Sequence, residues 1–222
     1  MLFFDLDRTL LDHDGAQRTA ASVFWRQHRA QDEPDLSRFL IDWDRRAEHH
    51  MQRYLLGEIS FADQRRFRLR EVLRNPELSD DEADVLFAAH LEHYEGAWSL
   101  FDDVLPCLAH PASQRIGLIT NGDGPQQLRK LAGLGLSGRF AVVVISGDLG
   151  VAKPHANIFL EACRRADVAP DQAVYVGDRL DHDARAAAAA GLRGVWLDRK
   201  NGVERPSDVR RITSLDELHP PA

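Results

Sequence analysis

Four short apolar runs along the chain each lead into polar residues, and a long stretch between the first and second keeps a different period. Met1-Leu2-Phe3-Phe4 runs into Asp5, and Arg115-Ile116-Gly117-Leu118-Ile119 into Thr120-Asn121-Gly122. Ala141-Val142-Val143-Val144-Ile145 precedes Lys153-Pro154, and Ala173-Val174-Tyr175-Val176 ends in Gly177-Asp178. Short apolar runs closed by turn formers predict strands. From about Ser99 onward strands alternate with helices, which predicts right-handed crossovers and a mostly parallel sheet.

Residues 15 to 98 carry helical periodicity instead. Leu36, Phe39, Leu40, Trp43, Ala47, Met51, Tyr54 and Leu55 follow the three-and-four spacing of one buried helix face. Ser79-Asp80-Asp81-Glu82 reads as a capping box with Ala83, Leu86 and Ala89 behind it. With helices near Gln17 to Arg29 and Phe61 to Arg74, the segment predicts a four-helix bundle inserted into an α/β core. The core is expected at 1–14 and 99–222, and the insertion at 15–98.

The chemistry gathers at the strand ends. Asp5 and Asp7 sit two apart after the first strand, where β geometry would crowd both charges onto one face. A divalent cation held by oxygen ligands would relieve that repulsion, leaving one carboxylate to attack an electrophile and the other to handle a proton. Thr120 can donate to a phosphoryl oxygen. Lys153 supplies a point charge, and Pro154 suits a first helical position. Asp178, Asp181 and Asp183 add oxygen ligands. Ligands bind beyond the carboxyl ends of strands in such a sheet, which would gather these residues in one pocket.

Together these motifs resemble the haloacid dehalogenase-like superfamily of hydrolases, mostly magnesium-dependent phosphatases. Asp5-Leu6-Asp7-Arg8-Thr9 resembles its first motif, Thr120-Asn121 its second, Lys153-Pro154 its third and Gly177-Asp178-Arg179-Leu180-Asp181-His182-Asp183 its fourth. The resemblance implies an α/β fold with an open, Rossmann-like core and an inserted helical cap over the pocket. It further implies Asp5 as nucleophile and Asp7 as acid and base. Mg2+ would be held by Asp5, the backbone carbonyl of Asp7, Asp178 and Asp183, and the phosphoryl group by Thr120, Asn121 and Lys153. Arg8 departs from the family pattern, which has a small or acidic residue there. The alanine-rich helix after Asp183 stops at Gly191, and Asp181 and His182 are expected as solvated loop residues.

Composition agrees with a soluble enzyme. The 222 residues are 44% hydrophobic and 28% charged, enough for one sizeable core or a core with an attached smaller domain. No tract approaches the roughly 20 apolar residues of a membrane span. Asp5 interrupts the first apolar run too early for a signal peptide, so a cytoplasmic location is expected. A formal charge of −7 argues against a nucleic-acid partner, and a monomer is favoured. Cys107 and Cys163 lack metal or redox spacing and are expected as buried thiols. Eight arginines against four acids between Arg45 and Arg74 make that segment locally positive. Arg66 and Arg70 there are candidates for selecting an anionic substrate, against the alternative of a salt-bridged helix face. His49, His50 and Trp43 are further candidates, though Trp43 fits the buried stripe better.

The expected function is hydrolysis of a small phosphorylated metabolite through an aspartyl-phosphate. A 2-haloacid dehalogenase would share the nucleophile but need no acid at Asp7. A phosphorylated receiver module would carry its acceptor on a later strand, without an insertion. A non-catalytic relative ranks last, since every catalytic residue type is present.

Overall fold

The computed structural model describes residues 1–28, 35–110, 115–202 and 205–218. Six strands form one sheet: β1 (Leu2–Phe4), β2 (Ile116–Thr120), β3 (Val142–Ile145), β4 (Val174–Gly177), β5 (Arg193–Leu197) and β6 (Arg210–Ile212). Every neighbouring pair is parallel, in the order β3-β2-β1-β4-β5-β6. From β1 the chain builds outward through β2 and β3, then returns to lay β4 on the other side. The crevice beyond β1 and β4 is therefore a topological switch point. Asp5 follows β1 and Asp178 follows β4, so the strand order alone brings these acids side by side.

The chain divides into two compact units, Met1–Asp12 with Ser99–Ala222, and His13–Trp98. The second unit consists of α1 (His13–His28), α2 (Leu36–Leu55), α3 (Phe61–Val72) and α4 (Asp80–Gly96). α1 begins four residues before the expected Gln17; its expected end, Arg29, lies outside the described residues. The Ser79–Glu82 capping box closes reciprocally, satisfying two backbone donors at the start of α4. Two faces differ from the sequence reading. α2 buries Phe39, Trp43 and His50, leaving Ala47, Met51 and Tyr54 half-buried. α4 buries Ala83, Phe87, His90 and Tyr94, while Ala89 is exposed. In both helices the packed face takes in a histidine, which an apolar pattern passes over.

In the sheet unit, α5 (Val104–Ala109), α6 (Gly124–Gly133), α7 (Ser146–Leu149), α8 (Ala156–Arg165) and α9 (Ala186–Ala189) accompany the strands. Phe3, Ile119, Val144, Phe159, Tyr175, Ala187 and Leu192 meet in its core, with Cys163 among them. Cys107 is likewise a buried thiol. Pro154 does not open α8. His155 is the N-cap, its Nδ1 accepting from the Asn157 amide at 3.2 Å, and the Lys153–Pro154 peptide before it is cis. The alanine-rich helix is also preceded by structure the sequence reading left as loop: Leu180–Arg185 is π-helical. Asp181 and His182 therefore lie on a helical turn, and Asp181 pairs with Arg185 at 2.8 Å. This segment is pressed against β5, because a Cβ on Gly194 would fall 1.9 Å from the Ala184 carbonyl oxygen.

Candidate active site

Three carboxylates, from Asp5, Asp178 and Asp183, offer oxygens within 4.8 Å of one another. Asp5 is fixed because its amide continues the β1–β4 ladder, donating to Val176 O at 2.9 Å. Asp178 is held from the neighbouring strand, where the Trp196 indole donates to its carbonyl at 2.9 Å. Asp183 reaches back under the β4 end, where Gly177 leaves room: a Cβ there would lie 2.5 Å from the Asp183 carboxyl carbon. Both oxygens of Asp183 accept hydrogen bonds, Oδ2 from the Arg179 amide at 2.9 Å and Oδ1 from Lys153 and Tyr175.

Lys153 stands against this group as its counter-charge. Its ammonium donates at 2.7 Å to Asp5 Oδ1, to Asp183 Oδ1 and to the Tyr175 hydroxyl. Burial opposes the lysine's charge, but Asp183 and Asp5 outweigh it and hold the ammonium above the usual lysine range. One lysine does not balance three acids. Two ionised carboxylates about 4.8 Å apart repel by about 3 kcal/mol at an effective dielectric constant of about 20. Burial, with Asp183 and Asp7 adding to it, accordingly raises Asp5 to about 6 despite Lys153. Asp178 is pushed well above the carboxylate range by burial and by Asp5 and Asp183. Arg8, held at φ 64°, tempers that rise. An excess of buried hard-oxygen charge fits a divalent cation of the calcium or magnesium kind.

Asp7 belongs to a second, separate arrangement. Lys130, 3% exposed, donates to both of its carboxylate oxygens at 2.7 and 2.8 Å. Gln127 adds 3.2 Å to Asp7 Oδ2, 2.7 Å to Thr120 Oγ1 and 3.3 Å to the Asn121 carbonyl. The Asp7 carboxylate is thus tied to the end of β2 rather than to the acidic trio. Asn121 turns its side chain to Lys153, accepting from its amide at 2.9 Å and donating to its carbonyl at 3.0 Å. It thereby fixes the lysine's backbone.

Sequence reasoning missed Lys130, Gln127 and Tyr175. The first two face inward from α6 alongside Leu131, so polar residues in phase with an apolar stripe were the available signal. Tyr175 is the one hydroxyl in an otherwise aliphatic run. Arg66 and Arg70, the substrate-selecting candidates, are engaged by acids of the neighbouring helix. Arg66 meets Asp84 at 2.5 and 2.8 Å and Asp80 at 2.9 Å; Arg70 meets Asp80 at 2.6 Å and the Leu78 carbonyl at 2.8 Å. They brace α3 against α4, as in the salt-bridged alternative. His50 is buried with Nε2 3.1 Å from Glu71, and Trp43 is fully buried.

Residues 1–191 match the model of a hydrolase family described as haloacid dehalogenase-like hydrolase. The chain belongs to that family. A glyceraldehyde 3-phosphate phosphatase of Methanopyrus kandleri is 39% identical over 126 residues, covering 54% of each chain. A phosphoserine phosphatase of Thermus thermophilus is 43% identical over 105 residues, covering 46% of this chain and 42% of the relative. The chain thus spans about half the length of these relatives, or less. A 2-haloacid dehalogenase from Pseudomonas syringae superposes with a TM-score of 0.68 at 29% identity, covering 98% and 95% of the two chains. This haloacid dehalogenase-like chain therefore has both phosphatases and a dehalogenase among its similar proteins.

Proposed function

We propose that this hydrolase cleaves the phosphomonoester of a small phosphorylated metabolite in the cytoplasm, with Mg2+ as cofactor and an aspartyl-phosphate as intermediate. The observation that carries the reading is the acidic trio facing a single lysine. A displacement of halide by Asp5 has no need of that excess negative charge, whereas a dianionic phosphoryl group must have charge neutralised before a carboxylate can approach it. Phosphatase activity in two relatives supports the same choice.

Asp5, Asp178 and the Asp7 carbonyl would hold the cation, with Asp183, both of whose oxygens already accept hydrogen bonds, holding it through water. Bound there, it would screen the phosphoryl oxygens and orient the ester. Asp5 Oδ1 is anchored by Lys153, and Oδ2 attacks phosphorus in line as the ester P–O bond breaks. Asp7 gives its proton to the departing oxygen, then takes one from the water that attacks the same phosphorus, releasing phosphate and restoring Asp5. Lys130 and Gln127 keep the Asp7 carboxylate in place between the two half-reactions. Lys153, Thr120 and the Asn121 amide would receive the phosphoryl oxygens.

The test is steady-state phosphate release from a panel of phosphorylated metabolites, with and without a chelator. Turnover that stops with chelator and returns with Mg2+ supports the proposal. Dechlorination of 2-chloropropionate without phosphate release overturns it.

A further inference from the structure

Among the described residues, the interior of the helical unit contains a charge that makes no salt bridge. Gln64 and Arg68 lie one turn apart on α3 and face the same side of the helix. There Trp43, Phe87 and His90 pack ring to ring, Trp43 to His90 at 4.6 Å and Phe87 to His90 at 5.3 Å. The Arg68 guanidinium carbon lies 5.0 Å from the Trp43 ring centre and 4.7 Å from that of Phe87. Arg68 is 4% exposed, and its Nε has no hydrogen-bond partner. Tyr94 and Asp44, the latter exposed on α2, favour its charge through their fields.

Stacking answers one part of what a guanidinium requires. A ring attracts the cation through its π-face, but the five N–H donors lie in the guanidinium plane and call for oxygen. Those donors form a fork that matches a carboxylate or phosphate edge. Burial, with Arg65 adding to it, lowers Arg68 to about 9, so it stays charged at neutral pH. Three more buried polar atoms around it lack partners: Gln64 Oε1, Trp43 Nε1 and His90 Nδ1. Together they make a set of polar groups prepared for a guest, with Arg68 as the anion-binding element and Gln64 as an acceptor for a hydroxyl.

We propose that the helical unit binds a small oxyanion bearing a hydroxyl, a hydroxycarboxylate or a phosphate, on the in-plane donors of Arg68. The site lies within the helical unit, where Phe24 of α1 also packs on Trp43 at 5.2 Å and His90 at 6.2 Å, and its existence does not depend on the phosphatase reading.

Nitrogen-15 NMR of the arginine side chains of the intact protein reports it directly. The Arg68 Nε–H cross-peak is assigned by its loss in Arg68→Met, then followed while inorganic phosphate or glycerate is added separately. A saturable shift with one or both supports the proposal; phosphate alone identifies a phosphate source, glycerate alone a carboxylate source. A cross-peak unmoved by either up to about 10 mM, well above the millimolar range of a weak site, overturns it. Thermal unfolding adds an independent reading, since the effective anion should raise the midpoint of the wild type but not of Arg68→Lys, which keeps the charge and loses the fork. An equal rise in both proteins places the anion elsewhere and also overturns the proposal.

Discussion

The two units treat buried charge in opposite ways. Around β1 and β4, buried charges are hydrogen-bonded to one another: Lys153 binds Asp5 and Asp183, and Lys130 binds Asp7. In the helical unit the guanidinium of Arg68 and the imidazole of His90 lie among aromatic rings with polar atoms unanswered. Among the described residues, the only buried side-chain polar atom without a partner outside the helical unit is Thr9 Oγ1. The sheet unit holds its acids in a fixed arrangement with surplus negative charge; the helical unit holds positive charge that its own residues leave open. Preorganised ionic networks define reacting positions, whereas an unpaired polar group in a low-dielectric interior is costly to keep.

The sharpest way to break this contrast is at Asp5. Asp5→Asn should lower kcat by at least about 10³-fold, while leaving the melting temperature equal or higher because one of three repelling carboxylates is gone. Phosphate release together with calorimetry tests both halves. Near-native turnover would remove Asp5 as nucleophile.

The next effect belongs to the helical unit. Burial, reinforced by Arg68, pushes His90 down to about 3. In the unfolded chain its imidazole protonates near its ordinary value of about 6.5, so between those values the unfolded state binds the extra proton. Stability should therefore fall as pH drops from about 6.5 towards 3, by up to roughly 4 kcal/mol at the acid end. Denaturant unfolding from pH 4 to 7 should show this slope in the wild type and a shallower one in His90→Phe. Equal slopes would assign the acid sensitivity to other groups.

Returning to the sheet unit, Gly177→Ala sets a Cβ against the Asp183 carboxyl and should cost about 1–3 kcal/mol. It should also weaken cation binding, measured by the thermal shift on adding Mg2+. A variant as stable as wild type, with the same Mg2+ response, would show that Asp183 can withdraw without consequence. The smallest effect is expected at the α3–α4 braces: Arg66→Ala and Arg70→Ala should leave KM for any phosphorylated substrate within about twofold, as suits exposed ion pairs. A tenfold rise would return these arginines to substrate selection.

The acidic trio was legible because turn chemistry and apolar runs mark strand ends in one dimension, and parallel topology gathers strand ends in three. Asp5 and Asp178 needed no more than that. Lys130 and Gln127 did not announce themselves, since a Gln-x-x-Lys pair on an amphipathic helix ordinarily faces water and only packing decides otherwise. The same blindness concealed His50 and His90, whose ring area is buried like that of an apolar residue while their polarity removes them from the periodic pattern. For Arg66 and Arg70 the acids they meet, Asp80 and Asp84, lie on the next helix, and local charge counting within residues 45–74 left those acids out.

The sheet register has a further consequence for how the protein is made. β1 is the first of the six strands to be synthesised, yet Leu2 pairs with Ile116 and Val174. On a ribosome the helices of residues 13–96 emerge before either neighbour of β1 exists, so their local contacts can form while β1 waits as an unpaired apolar strand. Lys153 is made before β4, but Asp183 joins it beside Asp5 only once β4 and the following π-helical turn have been produced. The carboxylates of Asp5 and Asp178 therefore stay apart through most of translation, while β1 waits as an unpaired edge.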